Sequence, residues 1–164
     1  MRIYLTGFMG SGKSTVGKIL AQKLGYTFTD LDQEIERHAN QPITSIFEQS
    51  GEKSFRDMER SALQMYTVDP FVMATGGGTF IYNREWMLQH GVVVFLHLPF
   101  ENLVQRIGAD TKRPLWSNAK TLYDERLNEY RKAHFTVEPL KDPEATADEI
   151  KNLIFQEFQK NSEN

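Results

Sequence analysis

The chain carries a complete phosphate-binding motif, Gly7-Phe8-Met9-Gly10-Ser11-Gly12-Lys13-Ser14, which matches G-x-x-x-x-G-K-[ST]. The preceding segment Arg2–Thr6 is mostly apolar or β-prone, and apolar side chains follow Lys13 at helical spacing. Between a strand and a helix, the glycines let backbone N–H groups converge on a polyphosphate, and the helix start and the lysine add positive charge. The motif predicts ATP or GTP binding on an α/β fold; the alternative is a glycine-rich structural turn.

Strand-like and helical segments alternate along the rest of the chain, which predicts a parallel sheet covered on both faces. The apolar segment Val92–Leu98 supports this, because a buried parallel strand has no polar face. The predicted strands are Ile3–Thr6, Thr27–Asp30, Phe71–Thr75, Val92–Leu98 and Phe135–Glu138. The predicted helices are Lys13–Leu24, Gln33–Ala39, Ile43–Gln49, Ser54–Val68, Arg84–Gln89, Phe100–Ile107, Ala119–Ala133 and Ala145–Phe158.

The composition limits the classes of partner and site. The 164 residues suit a single domain, and a net charge of −3 does not favour nucleic acid or an anionic membrane as a partner. With no cysteine, disulfides, thiol catalysis and zinc-thiolate sites are excluded. The longest apolar run, Val92–Leu96, is too short to span a bilayer, and we expect no signal peptide ahead of the first strand. We expect a cytoplasmic protein, with a monomer as the default.

Two carboxylates follow the second predicted strand, at Asp30 and Asp32. On an extended backbone their side chains would leave on the same face, where they could attract Mg²⁺ through water and accept a proton from a hydroxyl. The alternative is structural, with Asp32 capping the helix from Gln33 and Asp30 closing a turn. The third strand ends without a carboxylate, so Asp30 is the nearest candidate to assist a metal ion.

Three consecutive glycines, Gly76-Gly77-Gly78, follow the third predicted strand. Such a run usually marks a close approach of the backbone or a positive φ. The functional interpretation is a ligand lying on these amides, and the alternative is a flexible surface hairpin with Tyr82-Asn83 in a loop.

Three arginines are candidates for anion binding. Helical spacing lets Arg56 pair with Glu52 and Glu59, so an ordinary surface ion pair is the alternative to a ligand role there and similarly at Arg126. Arg113 precedes a proline in a polar, loop-like segment, and such a basic loop could close over ATP or simply be a solvated surface.

Taken together, the motifs resemble those of the shikimate kinase family. The resemblance is carried, in chain order, by the phosphate motif, Asp30-Leu31-Asp32, Phe55-Arg56-Asp57-Met58-Glu59, the triple glycine, Arg113-Pro114-Leu115, and Arg126 with Tyr130. It covers about nine-tenths of the chain. After Arg126, Leu127-Asn128-Glu129-Tyr130 departs from the Pro-Leu-Tyr that the family often shows.

The resemblance implies ATP-dependent phosphorylation of the 3-hydroxyl of shikimate, in chorismate and aromatic amino-acid biosynthesis. It implies a three-layer α/β/α P-loop kinase related to nucleoside monophosphate kinases, with a central five-stranded parallel sheet. The whole chain, 1–164, would form one domain, with a helical shikimate-binding subdomain at about residues 31–60 and a short lid at about 109–121. The closest rival is a kinase for another polyol acid such as gluconate; the other is a catalytically silent nucleotide-dependent binding module.

The resemblance also assigns roles to residues at matching positions. Asp32 would bind the shikimate hydroxyls and orient or deprotonate the attacking one, and Glu59 would hold Arg56. Catalysis would involve Asp32, Lys13 and Arg113. ATP would be bound by Gly10, Ser11, Gly12, Lys13, Ser14, Thr15, Arg106, Arg113 and Pro143, with Arg106 and Pro143 on either side of adenine. Shikimate would be bound by Asp32, Arg56, Gly77, Gly78 and Arg126. Magnesium would be bound by Ser14, with Asp30 assisting through water.

Overall fold

The computed structural model describes residues 1–107, 116–139 and 142–163, and within them five strands and seven helices alternate. The strands are β1 Arg2–Thr6, β2 Thr27–Asp30, β3 Phe71–Ala74, β4 Val92–Leu96 and β5 Phe135–Val137. The helices are α1 Lys13–Leu24, α2 Leu31–Ala39, α3 Ile43–Met65, α4 Thr79–His90, α5 Phe100–Ile107, α6 Trp116–Tyr130 and α7 Pro143–Ser162.

The five strands form one parallel sheet in the order β2-β3-β1-β4-β5. Alternate residues of β1 enter different cores, with Ile3 and Leu5 on one face and Tyr4 on the other. Helices α1 and α7 cover the first face, and α2 to α6 contribute to the core on the second. This confirms the predicted α/β class with a central five-stranded parallel sheet and a helical layer on each face.

The order of the strands determines where a ligand can bind. The phosphate motif follows β1, Asp30 ends β2 and the triple glycine follows β3. Since these strands are parallel neighbours, their carboxyl ends meet at one edge of the sheet, where open α/β sheets bind ligands. The described part of the chain contains no helix long and apolar enough to cross a membrane.

Several predicted boundaries were wrong. Helix α2 begins at Leu31, so Asp32 lies in its first turn and not on an extended backbone, and it is Asp30 that caps the helix. The predicted helices Ile43–Gln49 and Ser54–Val68 are a single element, α3, interrupted at Gly51 with φ of 81°. The remaining boundaries differ by up to a few residues.

Helix α4 begins five residues earlier than predicted. It starts at Thr79, directly after the glycines, and includes the Tyr82-Asn83 pair that the sequence left open as a loop. Asn83 does have non-helical angles (φ −131°), and its side-chain amide donates a hydrogen bond to the carbonyl of Thr79 (2.9 Å). The turn is therefore a compact helix start and not a hairpin.

Candidate active site

The phosphate motif forms a tight loop closed onto the start of α1. Gly10 and Gly12 have φ of 80° and 92°, a conformation that favours glycine, and Gly12 is the residue before the helix. Ser11 is buried, and its hydroxyl has no hydrogen-bond partner among the described residues. The first turn of α1 has no acidic side chain, so its N–H groups and partial positive charge suit an anion.

Lys13 is folded back onto its own loop. Its Nζ atom donates hydrogen bonds to the carbonyl oxygens of Gly7 (2.5 Å) and Phe8 (3.2 Å). Burial lowers the pKa of Lys13 to about 8, although the carboxylates of Asp32 and Asp30 oppose this shift. A bound phosphate would supply the missing negative charge and favour the ammonium form.

Ser14 and Asp30 face each other across the end of the sheet. The Ser14 hydroxyl donates to Asp30 Oδ2 (2.9 Å), while Asp30 Oδ1 accepts a hydrogen bond from the backbone N–H of Gln33 (3.2 Å). The aspartate therefore caps α2 and still presents an oxygen to the loop. A hydroxyl beside a carboxylate is a donor set that fits Mg²⁺, which prefers oxygen ligands and keeps several waters.

In the turn after β3, each glycine lies against one charged side chain from a distant segment. The pairs, with the distance from an added Cβ to the nearest charged atom, are Gly76 with Asp32 (2.9 Å), Gly77 with Arg126 (3.0 Å) and Gly78 with Arg56 (2.6 Å). None of these glycines has a positive φ. Of the two explanations for the glycine run, the structure supports close approach.

Arg56 is held from several sides. Its NH1 group donates to Glu59 Oε1 (2.9 Å), and its Nε lies 3.7 Å from Glu52 Oε1, so both pairs predicted from helical spacing are present. The guanidinium also lies over the ring of Tyr82, 4.2 Å from its centroid. Its Nε is buried and has no hydrogen-bond partner among the described residues.

Asp32 is the carboxylate that lies against Gly76 in the glycine turn. Its Oδ1 atom is buried and, within the described residues, accepts no hydrogen bond. Burial raises the pKa of Asp32 from 3.8 to about 6; the negative charges of Asp30 and Glu59 add to this, and Lys13 opposes it. A carboxylate with a pKa close to neutrality is a better proton acceptor than an exposed one.

Arg126 and Tyr130 lie one turn apart on α6 and reach the same glycine. The Tyr130 hydroxyl donates a short hydrogen bond to the carbonyl of Gly77, and its ring stacks on Phe95 with 5.0 Å between centroids. Burial raises the pKa of Tyr130 to about 12, so the hydroxyl stays protonated and remains a donor. Helix α6 thus positions Arg126 and fixes the turn beside it.

A cavity of about 150 Å³ adjoins the phosphate loop. Its lining includes Ser11, Gly12, Thr15, Arg106 and Pro143. Arg106 reaches it from α5, where its guanidinium donates to the carbonyl of Pro139 (3.1 Å). A planar guanidinium and a proline ring near a helix N-terminus can accept the base of a nucleotide whose phosphates lie on the loop.

The predicted site residues within the described ranges therefore lie at one edge of the sheet. Arg113 lies outside the described residues, as does the part of the predicted lid before residue 116, and 116–121 form the start of α6. A larger groove of about 730 Å³ runs between α2 and α3, and none of the predicted site residues lines it.

Sequence reasoning missed two contacts that shape the site. Tyr82 covers Arg56, and the Thr79 hydroxyl donates to Glu59 Oε2 (2.8 Å). Both residues lie in the first turn of α4, directly after the glycines. The contacts were therefore missed because the start of this helix was predicted too late.

Comparisons with known proteins agree with this geometry. A family model described as shikimate kinase matches residues 9–159. A shikimate kinase of Thermosynechococcus vestitus is 44% identical over 133 residues, covering 80% of this chain and 72% of that protein. The crystal structure of shikimate kinase from Aquifex aeolicus has a TM-score of 0.85 at 37% identity and covers 97% of this chain and 99% of that one. A shikimate kinase from Acinetobacter baumannii in complex with shikimate has a TM-score of 0.84 at 40% identity, with 95% and 93% covered.

Proposed function

The chain belongs to the shikimate kinase family, and we infer that its site performs the reaction of that family. The γ-phosphoryl group of ATP is transferred to the 3-hydroxyl of shikimate, which gives shikimate 3-phosphate and ADP. The reaction is a step of chorismate and aromatic amino-acid biosynthesis. The protein is thus a small-molecule kinase with ATP as its co-substrate.

The observation that carries this function is the triple-glycine turn with its three charged neighbours. Two guanidinium groups and one carboxylate converge on it, and the carboxylate interacts electrostatically with the lysine of the phosphate loop. Two arginines suit a planar carboxylate, because each guanidinium offers several donors in a fixed geometry. One anionic group and one hydroxyl of an acceptor can therefore be held beside a polyphosphate.

On the nucleotide side, the loop residues Gly10, Ser11, Gly12 and Thr15 and the N-terminus of α1 bind the phosphates. Lys13 neutralises the negative charge on the oxygens of the γ-phosphoryl group. To do so, its ammonium group gives up its hydrogen bonds to the loop carbonyls and bonds to these oxygens instead. Magnesium, when bound, reduces the negative charge on the phosphates; Ser14 would ligate it and Asp30 would assist through water, as their facing oxygens allow. Arg106 and Pro143 enclose the adenine.

On the acceptor side, Arg56 and Arg126 bind the carboxylate of shikimate, and Gly77 and Gly78 contact its ring hydroxyls. Asp32 orients the 3-hydroxyl and takes its proton as the phosphoryl group arrives. Its buried carboxylate supports this role, since a raised pKa near neutrality suits a general base. The proton moves to the carboxylate, the hydroxyl oxygen forms the new bond to the γ-phosphorus, and the bond from that phosphorus to the bridging oxygen breaks, so that ADP leaves.

The remaining assignments follow the family pattern. Arg113 would reach the phosphates as the lid, at about 109–121, closes and excludes water. Residues 31–60 would form the shikimate-binding part of a single domain, and we propose that the enzyme acts as a monomer. The residues of the site thus position the two substrates and neutralise charge, which is most of what phosphoryl transfer requires of a protein.

The test is ADP release by the purified protein with Mg·ATP and each of three acids. Shikimate should stimulate release far more than gluconate or quinate, because the two arginines and the glycine turn fit its carboxylate and ring. Equal turnover with all three acids would contradict the substrate assignment. Shikimate binding without ADP release would instead favour a catalytically silent binding module.

A further inference from the structure

Glu59 is a buried carboxylate shared between two elements. It is 1% exposed, and each of its oxygens accepts one hydrogen bond: Oε1 from Arg56 on α3 (2.9 Å) and Oε2 from the Thr79 hydroxyl on α4 (2.8 Å). Thr79 is completely buried. A buried carboxylate oxygen that loses its donor bears the full cost of desolvation, so both bonds fix the position of the carboxylate.

The position of Glu59 in turn determines that of Arg56. The guanidinium packs against Gly78 so closely that an added Cβ there would lie 2.6 Å from one of its nitrogens. Tyr82 covers its face, and Glu52 is a more distant and exposed partner at 3.7 Å. Glu59 is therefore the close ionic partner that sets where the guanidinium points.

We propose that Thr79 is a positioning residue for the acceptor: its hydroxyl holds one oxygen of Glu59, so that Arg56 keeps its remaining donors directed at the substrate carboxylate. This inference rests on the proposed function. Without the hydroxyl, the freed oxygen of Glu59 can turn to the guanidinium of Arg56, which its other oxygen already contacts on the same helix. A carboxylate that engages Arg56 with both oxygens competes directly with the carboxylate of the substrate.

Thr79 also connects this pair to the glycine turn. Its backbone N–H donates to the carbonyl of Gly76 (3.2 Å), and it is the residue directly after Gly78. The same residue thus closes the turn through its backbone and fixes the partner of Arg56 through its side chain. Arg56 and Gly78 are thereby held against each other although they are distant in the sequence.

The experiment compares Thr79→Val with Thr79→Ser. Valine removes the hydroxyl and keeps the shape, whereas serine retains the hydroxyl. We expect valine to raise the KM for shikimate about tenfold, the size of effect typical of a lost hydrogen bond to a charged group. The kcat and the KM for ATP should stay within about twofold of wild type. The carboxylate of shikimate is remote from the reacting 3-hydroxyl, so its binding contributes equally to the ground state and the transition state. Serine should restore the shikimate KM to within about twofold of wild type.

A purely structural role gives a different pattern. Valine would then lower the melting temperature and the active fraction, with the shikimate KM unchanged, and that result overturns the proposal. An equal rise in KM for serine and valine also overturns it, because the hydroxyl would not be the cause. Should valine fail to fold, Thr79→Ala removes the same hydroxyl without added atoms and is judged by the same criteria. Failure of the function itself is distinguishable, since the wild-type protein would then not turn over shikimate.

Discussion

Replacing Asp32 by asparagine should stabilise the ligand-free protein while it abolishes turnover. The carboxylate is buried beside Asp30 and Glu59, and the attraction of Lys13 offsets this only in part, so its pKa rises from 3.8 to about 6. Ionised Asp32 therefore destabilises the folded state at neutral pH. A neutral amide of the same shape removes that penalty, and it also removes the group that orients the acceptor and takes its proton.

The magnitude follows from linkage between protonation and folding. A pKa of about 6 in the folded state against 3.8 in the unfolded state corresponds to at most about 3 kcal/mol at pH 8. We expect the free energy of unfolding to rise by about 2 kcal/mol, because the amide must itself be desolvated. For a chain of this length, such a gain corresponds to a rise of about 4–8 °C in melting temperature. Because the folded-state pKa is raised, the destabilisation by Asp32 is absent below about pH 4 and develops as the pH rises through 6. The advantage of the variant should therefore vanish on acidification.

The assay is chemical denaturation of both proteins without nucleotide at pH 8 and pH 4, with Asp57→Asn as the control. Asp57 is an exposed carboxylate on α3, and its replacement should change the free energy of unfolding by less than about 0.5 kcal/mol. Turnover of Asp32→Asn should fall by orders of magnitude while ATP binding survives. No gain in stability at pH 8, or the same gain at both pH values, would refute the reasoning.

The remaining predictions concern the acceptor side. Arg126→Ala should weaken shikimate binding about 10- to 100-fold, as expected for a lost charge-assisted hydrogen-bonding group, with little change in ATP affinity; titration with each ligand checks this, and an equal loss for both ligands would contradict it. Gly78→Ala should raise the shikimate KM at least about tenfold, because a methyl group would displace the Arg56 guanidinium from its contact; an unchanged KM in a steady-state assay would show that the close approach is not needed. Tyr130→Phe removes the hydroxyl bond to Gly77, and it should lower stability by about 1 kcal/mol and raise the shikimate KM, which thermal melts and initial rates measure together; a lower melting temperature with an unaltered KM would restrict Tyr130 to a structural role.

The sheet and the phosphate loop could be predicted because their signals are local. The motif between Thr6 and Ser14 specifies its own strand, turn and helix, and the apolar segment around Val94 indicates a strand buried on both faces. Both inferences depend only on residues close in sequence, and both are confirmed by the five-stranded parallel sheet.

The start of α4 could not be predicted, because its stabilising contacts are not visible as a pattern. Three glycines and an asparagine usually indicate a turn, yet here the carbonyl of Gly76 accepts from the N–H of Thr79, and the Asn83 side chain bonds back to the same helix. The polar groups that would favour a loop are satisfied within a helix.

The gathering of the charged residues was also beyond local reasoning. Asp32, Arg56 and Arg126 come from three helices, and helical spacing alone allowed each arginine to be an ordinary surface residue. Only the family resemblance placed them together. The contacts of Tyr82 and Thr79 depend on the start of α4, and they were missed with it.

The most direct test of the account is a crystal structure of the protein with ADP and shikimate. It should show the shikimate carboxylate within about 3 Å of the guanidinium groups of Arg56 and Arg126, and the 3-hydroxyl within about 3 Å of Asp32 and facing the phosphate loop. Shikimate bound away from the glycine turn, or with its 3-hydroxyl pointing away from the nucleotide, would contradict the proposed division of roles.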